Sequence, residues 1–171
     1  MKFVSFLLKG QPKFGISDGN NITDLTGKIK GAQTLKELIS NKSLQEAKDF
    51  SKKNPGKINH NEIEYLPVIP NPGKIVCVGL NYSEHVKETG RTVEQNPVIF
   101  LRVPESQTAH KQPIQRPKVS ESLDYECEMA VIMGDAGKHI KPENALKHIV
   151  GYSCYNAVSY THLTLPTILL V

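Results

Sequence analysis

The sequence predicts an α+β chain in which a small N-terminal β-meander is followed by a mixed region of strands and short helices, a roll or barrel type of architecture. Three observations predict it. Apolar residues come in short strand-length runs, turn residues separate the runs, and helix signals are confined to brief segments that open on a capping residue.

Lys2 to Leu8 reads as the first strand and Lys13 to Ser17 as the second, with Asp18-Gly19-Asn20-Asn21 as the turn back into Ile22 to Leu25. Two short helices follow, each with the signature of a capping box, Thr34 with Glu37 and Ser43 with Glu46. Pro67, Pro70 and Pro72 interrupt any helix or central strand, which places a domain boundary between Pro67 and Gly73. Beyond it, Lys74 to Gly79 is a nearly continuous apolar strand expected to be buried on both faces. Ser83 is expected to cap a helix that runs to about Glu88 and closes at Gly90. Val98 to Val103 is a further strand, and Val119 to Ser122 leads into the long segment Asp124 to Met133. Pro142 opens a helix to about His148, and Ile149 to Asn156 is the strand after it.

The chain has 171 residues, 39% hydrophobic and 22% charged, which suits one ordinary domain or two small ones. At this length roughly 70% of the unfolded surface can be buried, so neither disulfides nor a structural metal are required. Cys77, Cys127 and Cys154 are odd in number and form no CxxC pair, which fits a reducing compartment. The N-terminus lacks the basic and long apolar regions of a signal peptide, and no stretch of 18 apolar residues occurs, so a soluble, cytoplasmic protein is expected. The net charge of +4 is spread along the chain and aromatics are only 6%, which argues against a nucleic-acid surface.

The sharpest chemical feature is Asp124-Tyr125-Glu126-Cys127-Glu128-Met129-Ala130-Val131. On a strand, Glu126 and Glu128 share one face about 6.7 Å apart, with Tyr125, Cys127, Met129 and Val131 on the other. Like charges so placed repel, and a hard divalent cation such as Mg²⁺ or Mn²⁺ would relieve them; a solvated polar face on an edge strand is the alternative. On a helix begun at Ser83, His85 and Glu88 lie three apart and face the same way, either as a water-activating dyad or as an ordinary surface pair. Arg102, at the end of its strand, is positioned to bind an anionic substrate or is simply solvated. His60, His110, His139 and His148 show no metal-site or triad spacing.

Together, four segments give the chain its resemblance to the fumarylacetoacetate hydrolase family. They are Lys74 to Glu88 with Asn81-Tyr82 and His85; Asn96-Pro97-Val98-Ile99-Phe100; Ser122-Leu123-Asp124-Tyr125-Glu126-Cys127-Glu128; and Gly151-Tyr152-Ser153-Cys154-Tyr155-Asn156. The resemblance implies an N-terminal accessory domain over residues 1–70 and the first part of a mixed β-roll catalytic domain over residues 71–156. It also implies a homodimer that acts on small 2-oxo or 1,3-dioxo acids by hydrolysis or decarboxylation of a C–C bond, or by isomerisation of a hydroxymuconate-type diacid. Glu126 and Glu128 fall on the family's metal-binding glutamates for Mg²⁺ or Mn²⁺, and His85 and Glu88 on its catalytic pair. No organic cofactor, nucleic acid or membrane partner is implied. A non-catalytic oligomeric scaffold is the competing class, against which the joint presence of these four residues counts.

After Asn156 the resemblance stops. The family would continue with an aspartate at position 157, its third metal ligand, and then a Val-Ser or Val-Thr pair; here position 157 is Ala. Ala157 to Thr167 reads in frame as a translated sequencing adapter of the transposase type, so residues 157–171 are expected to be non-native, the roll incomplete and this chain by itself inactive. Resequencing the locus tests this. The expected result is a different frame after the Asn156 codon; an uninterrupted genomic frame encoding Tyr160 to Val171 would end the idea.

Overall fold

The protein is described by a computed structural model covering residues 1–88, 90, 96–119 and 121–160. Its first part is a five-stranded antiparallel sheet in the order β4-β3-β2-β1-β5. Strand β1 (Lys2–Leu8) turns into β2 (Gln11–Ser17) through Lys9-Gly10, both at positive φ (52° and 77°), the backbone a two-residue hairpin loop requires. The predicted turn before β3 (Asn21–Asp24) is held by the Asp18 carboxylate, whose Oδ1 accepts from the amides of Asn20 and Asn21 at 2.8 Å. Helices α1 (Leu35–Ser40) and α2 (Leu44–Lys53) pack on this sheet. Phe14, Ile16, Leu25, Leu35, Leu38 and Ala47 are buried in the shared core, and this is the most fully packed part of the molecule.

The two helix starts differ. At α1 the capping box forms as the sequence predicts, the Glu37 amide donating to Thr34 Oγ1 at 3.1 Å and the Thr34 amide to the Glu37 carboxylate at 3.1 Å. At α2 it does not. Ser43 sits at φ −93°, ψ 18° with no side-chain cap bond, because its hydroxyl turns back to the Asn41 carbonyl across the tight link between the helices. Strand β4 (Ile58–Asn59), a 3₁₀ turn at His60–Glu62 and β5 (Ile63–Tyr65) were not legible in the sequence; β5 adds to the free edge of β1, Phe6 opposite Tyr65.

The proline-rich stretch carries no regular structure but is tied to the first sheet. Ser5 donates to the Val68 carbonyl at 2.8 Å, Lys36 donates to the Asn71 carbonyl at 2.9 Å, and Val68 and Ile69 pack against its core. Beyond it come β6 (Ile75–Gly79), α3 (Ser83–Glu88) and β7 (Val98–Arg102), then a 3₁₀ turn at Pro104–Ser106, β8 (Leu123–Asp124) and β9 (Cys127–Met133). Helix α4 (Pro142–Ala145), with Pro142 at its start, passes through a 3₁₀ turn at Leu146–His148 into β10 (Ile149–Asn156), and β11 (Ser159–Tyr160) ends the described chain.

These later strands pair as three two-stranded antiparallel sheets, β6 with β7, β9 with β10, and β8 with β11. Three expectations are corrected here. Strand β6 is covered on one face only, with Val76 54% and Val78 42% exposed, because nothing among the described residues lies over its outer side. Ser83 is the first helical residue and not the cap; the Tyr82 carbonyl, one residue earlier, accepts the first helical bond from Val86. The long segment Asp124 to Met133 is broken at Tyr125-Glu126, where the Glu126 amide bonds the Asn156 side chain and its carbonyl accepts from the Ala157 amide. The first sheet and the later region are also joined at two places: Lys42 donates to the Gly134 carbonyl and pairs with Asp135, and Gln112 reaches Glu64 at 3.0 Å.

The contrast between the two helix starts is testable. Thr34→Ala is expected to lower stability by about 1 kcal/mol, and Ser43→Ala by less than about 0.5 kcal/mol. Urea unfolding midpoints check this; an equal loss in both variants would contradict the cap assignments.

Candidate functional site

The candidate site begins with the alternation along β9. From Glu126 to Met133 the residues are alternately half-buried and exposed, Glu126, Glu128, Ala130 and Ile132 turning inward and Cys127, Met129, Val131 and Met133 outward. The face-sharing of Glu126 and Glu128 expected from sequence is therefore present, although the strand itself starts only at Cys127. Strand β10 supplies the neighbours, with Gly151 opposite Ile132, Ser153 opposite Ala130 and Tyr155 opposite Glu128.

That register depends on a bulge. Ile149 pairs with Met133, but Gly151 pairs with Ile132, so Val150 is an extra residue between them. Gly134 makes room for it, since a Cβ there would stand 2.8 Å from Val150 Cβ. Because side chains alternate at period two, one inserted residue exchanges the faces of everything after it relative to the partner strand. Without the bulge Tyr155 would oppose Cys127 on the outer face.

The β6–β7 pair presents Cys77, Phe100 and Arg102 to the same side. Cys77 lies opposite Phe100 and Ile75 opposite Arg102; Cys77 and Arg102 are half-buried, whereas Phe100 at 43% is exposed, as are Val76, Ile99 and Leu101 on the other side. Arg102 is held by a bond from Nη2 to the Val158 carbonyl at 3.1 Å, and its guanidinium carbon lies 5.9 Å from the centre of the Phe100 ring. Its Nε is buried without a hydrogen-bond partner among the described residues. A buried donor in that condition is costly unless a ligand or water satisfies it.

The electrostatics tie these side chains together. Burial pushes the Glu128 carboxyl above its ordinary range, the neighbouring Glu126 raises it further, and Arg102 pulls it back. Burial likewise raises the Tyr155 phenol; Arg102 opposes the shift, while Cys77 and Glu128 add to it. No hydrogen bond holds the Glu128 carboxylate or the Tyr155 hydroxyl among the described residues. Glu126, Glu128 and Tyr155 thus share the inner face of β9–β10, and Arg102 and Cys77 on the separate β6–β7 pair lie close enough to act on them electrostatically. Tyr155 was missed as a site residue because strand parity alone does not reveal a bulge; the run Ile149-Val150-Gly151, with two branched residues ahead of a glycine, was the one local sign.

A hard cation needs oxygen donors, and Glu126 and Glu128 supply carboxylates whose mutual repulsion such an ion relieves. Ala157, where the family resemblance would place a third ligand, is 2% exposed beside the Glu126 backbone, and no group of three His, Cys, Asp or Glu stands together among the described residues. The donor set therefore fits an ion that keeps most of its water ligands, as Mg²⁺ does, and falls short of a three-carboxylate site. His85 and Glu88 lie on α3, one turn apart in the backbone; their side chains lie outside the described part of the structure. No helix among the described residues is long and apolar enough to cross a membrane.

Comparison with known proteins follows the same division. Residues 74–166 match the family model described as fumarylacetoacetate (FAA) hydrolase C-terminal. That match takes in residues 157–166, which the sequence assigned to an adapter; Val158-Ser159 satisfies both assignments, since the family pattern also continues with such a pair. The chain is 35% identical over 166 residues to the mitochondrial oxaloacetate tautomerase of Xenopus laevis, covering 93% of this chain and 52% of that protein, so it spans about half that relative's length. The fumarylacetoacetate hydrolase of psychrophilic Exiguobacterium antarcticum superposes with a TM-score of 0.80 at 28% identity, over 98% of this chain and 59% of that one. Maleylpyruvate hydrolase of Sphingobium sp. SYK-6, solved with manganese(II) and pyruvate, superposes with a TM-score of 0.77 at 20% identity, over 94% and 59%. At that identity it is similar in fold.

Proposed function

From the premise that this chain belongs to the fumarylacetoacetate hydrolase family, as the match over residues 74–166 shows, we propose that the whole protein is a divalent-metal-dependent enzyme acting on a small 2-oxo or 1,3-dioxo acid through its enol or enolate. The observation that supports it is the pair Glu126 and Glu128 turned inward along β9, with Arg102 near enough to pull the Glu128 carboxyl back down. Arg102 takes the substrate carboxylate, using the buried Nε that has no partner among the described residues. Glu126 and Glu128 hold Mg²⁺ or Mn²⁺, which when bound acts as a Lewis acid on the oxo oxygen. His85 and Glu88, one helical turn apart, move the proton, Glu88 orienting the imidazole that takes it. In a hydrolase the proton comes from water; in a tautomerase it comes from the carbon next to the oxo group.

Cleavage or decarboxylation of a C–C bond is one outcome of such an enolate, and tautomerisation of an oxo diacid is the other. The 35% identity to the Xenopus oxaloacetate tautomerase over 93% of this chain favours the second. A homodimer is part of the same proposal, supported by the exposed apolar outer faces of β6–β7 and β9–β10. Three unpaired cysteines suit a reducing compartment, here taken as the cytoplasm, although the Xenopus relative is named as mitochondrial.

The test uses the whole protein with oxaloacetate and an acylpyruvate. Turnover should vanish with EDTA and return with Mg²⁺. Glu126→Ala should abolish it, and His85→Ala should lower kcat by about 10²- to 10⁴-fold while leaving metal affinity nearly unchanged. Undiminished turnover in both variants would overturn the assigned roles.

A further inference from the structure

The Val150 bulge has a cost and a direction. It interrupts the β9–β10 ladder at one position, needs Gly134 to accommodate it, and turns Tyr155 from the outer face to the inner one. No described residue hydrogen-bonds the phenol it delivers. Tyr155 is half-buried, and its hydroxyl is left free to meet a ligand from the solvent side. The groups around it are Glu128 directly opposite, Arg102 and Cys77. Of these, Arg102 also carries an unpaired buried donor, its Nε. A buried, unpaired N–H of Arg102 and a solvent-reachable O–H of Tyr155 thus lie within electrostatic reach of each other on the inner side. Donors so arranged fit a carboxylate, which offers about four lone pairs and no hydrogen.

We propose that Tyr155 is a substrate-binding residue whose hydroxyl donates to the same substrate carboxylate that Arg102 binds, and that the Val150 bulge exists to aim it there. This rests on the 2-oxo acid reading of the site and extends it. The paired donors select an acid with a carboxylate next to its oxo group over the corresponding ester or aldehyde. The aromatic ring of Tyr155 closes the apolar side of the spot, and the hydroxyl sets the distance at which the acid seats.

The experiment is Tyr155→Phe in the whole protein, which keeps the ring and removes only the oxygen. Calorimetric titration with oxalate, an unreactive stand-in for the 2-oxo acid, should show binding weakened about tenfold, since a hydrogen bond to a charged group is lost. KM for oxaloacetate should rise by about the same factor with kcat within about threefold, and Mn²⁺ affinity should stay within about twofold, which a merely structural role for Tyr155 would not give. If the parent protein binds oxalate and turns over substrate while Tyr155→Phe does both equally well, this inference falls and the function stands. If the parent protein neither binds oxalate nor acts on any 2-oxo acid, the function falls and takes the inference with it.

Discussion

Two carboxylates one pleat apart on a half-buried face repel each other by about 2 kcal/mol at an effective dielectric constant near 20, before the cost of burying either is counted. Glu126 and Glu128 are in that position, and Glu128 shows the strain in a carboxyl raised by burial and then by its neighbour. Among the described residues, the positive group that acts on Glu128 is Arg102 at the end of β7. The arrangement of the second half follows from this. Strand β7 must end where Arg102 reaches the inner face, β9 must begin so that both glutamates turn inward, and the Tyr125-Glu126 break must be secured by Asn156 and Ala157.

The two parts of the molecule meet their energetic needs differently. In the first, Phe14, Ile16, Leu25 and Leu38 fill a closed core between sheet and helices, and the two hairpin turns are set by Lys9-Gly10 and by the Asp18 carboxylate. In the second, strands that are more apolar in sequence leave one face open, as with Leu101 at 69% exposed and Met129 at 62%. Exposed apolar strand faces of this size call for a covering layer. The inner face of β9–β10, by contrast, is half-buried and mixes apolar residues with the charged Glu126 and Glu128, the combination that a site for a small charged ligand uses.

Most of this was legible from residue pattern. The bounds of β1 and β10, the Thr34-Glu37 capping box, Pro142 at a helix start and the shared face of Glu126 and Glu128 all follow from local chemistry that tertiary contacts reinforce. What escaped had a physical reason in each case. Ser43 has the residue type for a cap, but its backbone is bent by the short link from α1. Strands β4 and β5 are only two and three residues long, too short for a periodicity to show. The outer face of β6 is apolar in sequence yet uncovered, since apolar content reports what a strand can bury and not what lies over it. Tyr155 was hidden by a single extra residue that exchanges two faces.

The central claim is that Glu126 and Glu128 attract a hard cation to the inner face of β9. Adding Mn²⁺ in small steps to isotopically labelled protein and following amide NMR signals tests it most directly, because the paramagnetic ion broadens what lies near it. Signals of Glu126, Cys127, Glu128 and their β10 neighbours Tyr155 and Asn156 should fade first, and Glu126→Gln with Glu128→Gln should remove the effect. Fading that begins at other acidic positions such as Glu121 or Glu143, or that survives the double substitution, would contradict the account.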